Sequence, residues 1–148
     1  MPLVTVTRLR LRSGRYLLPF LWDTLRIGRQ ARHAAGSLAG TVRRADGAFW
    51  TLTLWQDTAA MRAFMMAGAH RKAMPKLAGW CDEASLADWE QPSTTLPDWE
   101  EAERILGERG RVSPVAHPSP AQAAGKPLGG GQEKARRSGG LLSLGLGA

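Results

Sequence analysis

His70 is the side chain best suited to proton transfer in this 148-residue sequence. An unperturbed imidazole titrates near neutral pH, so it can serve as a general base or as a metal or haem ligand. It lies near the end of "FWTLTLWQDTAAMRAFMMAGAHRKAM", residues 49 to 74. Trp50, Trp55 and Trp89, with Trp22, could wall a flat aromatic molecule, and Phe64 and Met65 could line the same space. Such pockets are mostly apolar with few polar anchors, and Met61, Met65, Met66 and Met74 would make an adaptable lining. Arg26, followed by Arg29 and Arg32, could hold an anion such as an enolate.

Each of these has a plainer alternative. His70 stands beside Arg71 and Lys72, which fits a surface histidine whose pKa the two cations depress. The tryptophans and methionines fit ordinary packing. The arginines fit a solvated helix face, and Asp57 fits a helix cap. His33 and His117 show no ligand spacing, so no metal is expected. No GxSxG, HExxH, P-loop or GxGxxG motif is present.

Composition narrows the setting. The length favours one domain, and a hydrophobic share of 43% is enough for a core. The sole cysteine, Cys81, leaves no internal disulfide framework and no CxxC site, which fits a reducing, cytoplasmic compartment. The N-terminus shows no signal-peptide pattern, and no stretch approaches the roughly 20 apolar residues that span a bilayer. No membrane partner is expected. Residues 1 to 92 carry 13 Lys+Arg against 7 Asp+Glu, 93 to 110 carry 2 against 5, and 111 to 148 carry 5 against 1. A basic body thus precedes an acidic segment and a basic tail. That charge permits binding to nucleic acid or anionic surfaces; an Arg-rich soluble protein is the blander reading.

The elements that must position these residues follow from periodicity. Residues 3 to 12, "LVTVTRLRLR", alternate as a strand. Residues 17 to 34 have helical spacing, with Phe20, Leu21, Thr24, Ile27, Gly28 and Ala31 on a packed stripe and Asp23, Arg26, Gln30 and His33 opposite. Pro19 suits the first turn and Gly36 a stop. Residues 36 to 47 form a weaker strand ending in Asp46-Gly47, a hairpin signal. Residues 48 to 56 form a strand with Trp50, Leu52 and Leu54 on one face and Phe49, Thr51, Thr53 and Trp55 on the other, so it should be covered on both sides. A helix follows, capped by Asp57 or Thr58 and packed through Met61, Phe64 and Met65. Gly68 breaks it, and a second short helical piece ends before Pro75. Residues 81 to 91 form the last strand. Residues 97 to 110 form a short acidic helix, with its glutamates well placed near the N-terminus.

The order is β-α-β-β-α-β, an α+β ferredoxin-like protomer over residues 1–92, then a helical extension over 93–112. Residues 113–148 are Gly-, Pro- and Ser-rich and should be a disordered or loosely attached tail. The arrangement leaves one apolar sheet face bare, and the simplest cover is a second copy in a symmetric homodimer.

At this point residues 49 to 74 resemble the dimeric α+β barrel family, in its antibiotic-biosynthesis-monooxygenase-like branch and DUF3291-type relatives. The resemblance rests on Trp55-Gln56-Asp57 closing a strand, the run from Ala60 to Phe64, and His70 after the helix. It covers residues 3 to 91 and leaves 92 to 148 outside. It implies a sheet-to-sheet homodimer with a pocket between sheet and helices in each protomer. It also implies oxidation of a small aromatic, quinol or polyketide-like substrate by O2 without a cofactor. The haem degraders of neighbouring groups are also similar over the helix. Where they keep a Trp this chain has Phe64, and where they keep the haem-ligating His it has Met74. Methionine can ligate haem iron, so His70 and Met74 stand as haem-ligand candidates.

Two other functions compete with an oxygenase. One is a non-catalytic small-molecule-binding protein on the same scaffold, since fold does not grant chemistry. The other is RNA binding, because RRM domains share the element order. "DGAFWTL" lacks the basic-glycine-aromatic signature, and "LVTVT" offers no stacking ring. Nucleic acid is therefore not expected as a partner.

Overall fold

The computed structural model describes residues 1–130. The elements are β1 (Leu3–Leu11), a 3-10 turn (Gly14–Tyr16), α1 (Leu17–His33), β2 (Ser37–Ala45), β3 (Ala48–Trp55), α2 (Thr58–Met65), α3 (Gly68–Trp80), β4 (Cys81–Glu90), α4 (Trp99–Arg109), β5 (Arg111–Val112) and α5 (Pro120–Ala123). They build an antiparallel sheet in the order β2-β3-β1-β4-β5. This is the α+β, ferredoxin-like arrangement that the element order implied, with β1 between β3 and β4.

Local chemistry explains the joints. Asp46 and Gly47 both take positive φ, 54° and 71°, as a tight hairpin between twisted strands requires. Asp57 Oδ1 accepts from Ala60 N at 2.8 Å and caps α2. Gly36 adopts φ +81°, and a Cβ there would meet Ala60 Cβ at 2.6 Å, so only glycine lets the α1–β2 corner approach α2. The helix after Gly68 differs from the expectation. It does not end before Pro75 but runs through it to Trp80. Proline removes one intrahelical bond there, and Ala73 and the packing of α3 beside α1 hold the helix together.

The two sheet faces bury different cores. Phe49 of β3 meets Phe20 of α1, and Trp55 meets Phe64 of α2, so the three helices α1 to α3 cover the face carrying Phe49, Thr51, Thr53 and Trp55. The other face carries Val4, Val6, Trp50, Leu52, Leu54 and Ala87, all essentially inaccessible. The sequence left that face bare for a second copy. In the structure this chain covers it with α4, through Ala102, Ile105 and Leu106, and with Leu128. Residues 113–130, expected to be loose, also pack on this side. Ser113 N donates to Ala84 O at 2.8 Å and Ser119 N to Asp82 O at 3.0 Å. The rest of the expected tail, 131–148, lies outside the described residues.

Under that segment sits a buried ion pair. Arg8 Nη1 contacts Glu83 Oε2 at 2.6 Å, and Ser119 Oγ donates to Glu83 Oε1 at 2.9 Å. The Arg8 and Glu83 side chains are 4% and 3% exposed, so neither charge has water to compensate it. Gly129, at φ +70°, comes so close that a Cβ would meet Glu83 Oε2 at 2.6 Å. Arg43 lies 5.2 Å from the Trp50 ring centre and 4.6 Å from that of Trp99, tying α4 to the sheet through cation–π contacts.

Candidate functional site

The residues singled out from the sequence fall into three places. Trp55, Phe64, Met65 and His70 meet on the helix-covered face. Trp50 and Trp89 belong to the core beneath α4, on the opposite side of the sheet. Trp22 and Arg26 are on the outer surface of α1, and Trp22 is 63% exposed. One pocket walled by all the tryptophans is therefore excluded. Side chains alternate across a strand, so Trp50 and Trp55, an odd number of residues apart on β3, point to opposite faces. Trp22 lies outside because the inward track of α1 is Phe20, Asp23, Thr24, Ile27, Gln30 and Ala31. Leu21, placed on the packed stripe from the sequence, is exposed, and Asp23 and Gln30, placed opposite, face inward.

The helix-side group is an aromatic line. The Trp55 and Phe64 ring centres are 4.9 Å apart, and those of Phe64 and His70 are 5.0 Å apart with their planes at 60°. Leu3 and Met61 pack around Trp55 and Phe64. Trp55 is turned by its own indole, whose Nε1 donates to Thr53 Oγ1 at 3.0 Å.

His70 is half-buried at the start of α3 and held at two points. Its backbone N donates to Gln30 Oε1 at 2.9 Å, and its ring Nδ1 lies 3.2 Å from Met65 O. A carbonyl only accepts, so that contact places the proton on Nδ1 and leaves Nε2 as an acceptor. Burial lowers the pKa of the ring below its ordinary value of 6.5, and the Met65 hydrogen bond opposes the shift in part. The cause is thus desolvation, where the sequence suggested Arg71 and Lys72; both of those are exposed. At neutral pH the imidazole is an uncharged base.

Gln30 is the residue the sequence reading missed. Besides accepting from His70, its Nε2 donates to Phe64 O at 3.1 Å and Ala67 O at 2.8 Å, so one amide locks the α2–α3 corner. Gly68 takes φ +54° at that corner, where a Cβ would sit 3.2 Å from Gln30 Cδ. A signal was present. Phe20, Asp23, Ile27 and Gln30 follow one another at steps of three and four, which is an inward track whatever their polarity.

The sheet beneath the helices is polar at its middle. Thr5 pairs with Thr53 and Thr7 with Thr51, forming four half-buried threonines between the Phe20–Phe49 contact and the Trp55–Phe64 contact. Thr53 Oγ1 is engaged by Trp55. Thr5 Oγ1 is buried with no hydrogen-bond partner among the described residues. A buried hydroxyl without a partner carries a cost, which a bound polar group would remove. The thiol of Cys81 offers no competing chemistry, since burial, helped by the charge of Asp82, pushes its pKa up to about 12.

His70 and Met74 do not fit together as a pair of haem ligands. His70 and Met74 are four apart on α3 and so share one helix side, which prevents them from ligating one iron from opposite faces. The Phe64 ring packs against His70, and Met74 is 44% exposed. Among the described residues no group of three or more His, Cys, Asp or Glu could hold a metal ion.

Comparison with known proteins places this geometry. The model of a family described as "Domain of unknown function (DUF3291)" matches residues 24–112, so the match extends through α4, past the residue 91 limit of the sequence resemblance. No curated protein matches. Among solved structures, SnoaB, a cofactor-independent oxygenase from Streptomyces nogalater, is similar with a TM-score of 0.52 and 16% identity, over 66% of this chain and 98% of that one. An antibiotic biosynthesis monooxygenase is similar with a TM-score of 0.55 and 13% identity, over 62% of this chain and 99% of that one. A conserved protein from Methanosarcina mazei Go1 gives 0.56 and 12%, over 62% and 93%. At these identities the likeness shows the fold.

Proposed function

This chain belongs to the DUF3291 family, and from that premise we propose that it is a monooxygenase-like protein acting on a small aromatic or quinol-type molecule. The observation that carries the proposal is the Trp55–Phe64–His70 line, which ends in a base kept neutral by burial. The molecule lies between the threonine floor and the helices. Its ring stacks on Trp55 or Phe64 and its oxygen meets the unpartnered Thr5 hydroxyl.

The reaction needs little from the protein. His70 Nε2 removes a proton from an acidic ring hydroxyl or from a methylene between aromatic rings. The resulting anion is electron-rich enough to be oxidised by O2. In the net change the methylene loses two hydrogens and becomes a carbonyl, one oxygen atom entering the product and the other leaving as water. Desolvation and a fixed base are what the site supplies. The SnoaB likeness supports this reading through its fold.

The second reading is a binding protein that uses the same residues without turnover. The buried orphan hydroxyl of Thr5 favours a ligand and says nothing of chemistry. Oxygen uptake with a panel of anthrone- and quinol-type compounds separates the two. The oxygenase reading expects uptake that His70→Ala abolishes. Saturable binding of the same compounds, followed by Trp fluorescence, with no oxygen uptake leaves the binding protein.

A homodimer is part of the proposal. A second copy would meet α4 here, because the sheet face that the sequence left for it is already filled. A cytoplasmic setting fits the single, buried Cys81. No helix among the described residues is long and apolar enough to cross a membrane.

A further inference from the structure

We infer that the outer face of α1 docks on an anionic lipid surface. Leu18, Trp22 and Leu25 stand on successive turns of one helix row and are 78%, 63% and 69% exposed. Leu21 widens the row on one side. Large apolar groups gathered in this way on a small domain mark an interaction surface. A tryptophan among them favours an interface that is apolar on one side and wet on the other.

Charge identifies the occupant. The same row continues as Arg29 and Arg32, with Arg26 beside it and Arg15 just before it, and all four are exposed. The one acid of α1, Asp23, faces inward with Lys76 Nζ 2.6 Å away. The neighbouring α2 and α3 add exposed Arg62, Arg71 and Lys72 and contain no Asp or Glu. On the far side of the sheet, α4 carries Glu100, Glu101, Glu103 and Glu108 against Arg104 and Arg109. The molecule is thus polarised, and its cationic side is the side with the bare leucines and tryptophan. Anionic headgroups attract such a face, and arginine stems let the guanidinium groups reach them while the apolar row enters the interface.

The same charges disfavour other occupants. A second α1 packed antiparallel on this row brings Arg15 opposite the Arg29 end, and a parallel one stacks Arg29 on Arg29. The segment 131–148 carries Lys134, Arg136 and Arg137 against Glu133, so its charge offers no complement to this face. From the sequence, no membrane partner was expected, because no stretch approaches the roughly 20 apolar residues that span a bilayer. Among the described residues no helix is long and apolar enough to span one, and the contact inferred here is peripheral, made by exposed side chains of α1.

The test is co-sedimentation of the full chain with vesicles of phosphatidylcholine alone and of phosphatidylcholine with phosphatidylserine. Binding is expected to the anionic vesicles only, to weaken with salt, and to fall about tenfold or more in Arg29→Glu. Trp22→Ser should weaken it as well. In Trp22→Phe binding should persist while the blue shift of Trp emission on adding vesicles shrinks. These side chains are exposed, so circular dichroism should show each variant folded. Equal binding to neutral vesicles, no binding to anionic ones, or unchanged binding in both Arg29→Glu and Trp22→Ser overturns the inference. Binding to a soluble poly-glutamate peptide but not to vesicles replaces lipid with an acidic protein. A concentration-dependent oligomer dissolved by Leu25→Glu replaces it with a second copy.

Discussion

Gln30 on α1 holds His70 on α3 by a single amide whose oxygen accepts from the His70 backbone at 2.9 Å and whose nitrogen donates to Phe64 and Ala67 carbonyls. The side chain that could do chemistry is thus positioned by one 40 residues earlier in the chain. Replacing Gln30 by Leu keeps the bulk and removes all three bonds, leaving the part-buried His70 N–H unpaired, while the Phe64 and Ala67 carbonyls keep Ala67 N and Arg71 N as backbone donors. A loss of about 1–3 kcal/mol is expected in urea unfolding. Ligand binding or turnover should fall further than stability alone explains, and Gln30→Glu, which keeps the acceptor for the His70 N–H, should lose less of it.

The pH dependence of His70 has a defined sign. Its folded pKa is lowered by burial, so the unfolded chain takes up the proton more readily. Its contribution to stability is complete above the ordinary value of 6.5 and is lost as pH falls from there toward the folded pKa. An imidazole titration by NMR should show a midpoint below that of a model histidine. His70→Phe should flatten this part of the stability profile, and a midpoint at or above 6.5 would mean that the ring is wet.

Arg8 and Glu83 form a pair with almost no access to solvent. Changing Glu83 to Ala strands a buried guanidinium, whose Nε already lacks a partner among the described residues. The expected cost is about 3–5 kcal/mol, and the double change Arg8→Met with Glu83→Leu should recover much of it. Chemical denaturation of the two variants makes the comparison. A small loss in Glu83→Ala would show that residues 119–129 do not seal the pair.

Ile105 tests what covers the second sheet face. It is 2% exposed and packs into the core that contains Trp50, Leu52 and Leu54. Ile105→Ala should cost about 2–5 kcal/mol. If α4 is instead displaced in solution by a second copy, the loss will be near zero and native mass will report a dimer whose stability depends on concentration.

Gly36 allows the helix layer to close on β2. Gly36→Ala forces a side chain into φ +81° and against Ala60 Cβ at 2.6 Å. A drop in stability of about 1–3 kcal/mol is expected from the strained backbone alone. Adding Ala60→Gly removes the clash but not the positive φ, so thermal unfolding of the double variant should show only partial recovery.

Much of this protein was legible before any coordinates. Period-two alternation marked β1 and β3, period 3.6 marked α1 and α2, and Asp46-Gly47 marked the hairpin, because these patterns are set by local geometry and by which face must leave water. His70 was found by its chemistry, and Asp57 as a cap by its place before a helix. Which tryptophans share a site was not legible. Trp50, Trp55, Trp89 and Trp22 look equivalent as residue types, and only the sheet register and the rotation of α1 separate them into two cores and a surface. Nor could the sequence show that α4 fills the face a partner was meant to cover, that Gln30 turns inward to hold His70, or that Leu18, Trp22 and Leu25 are left outside. Those outcomes depend on contacts between residues far apart in the chain, and a one-dimensional pattern carries the periodicity of a face but not the identity of what meets it.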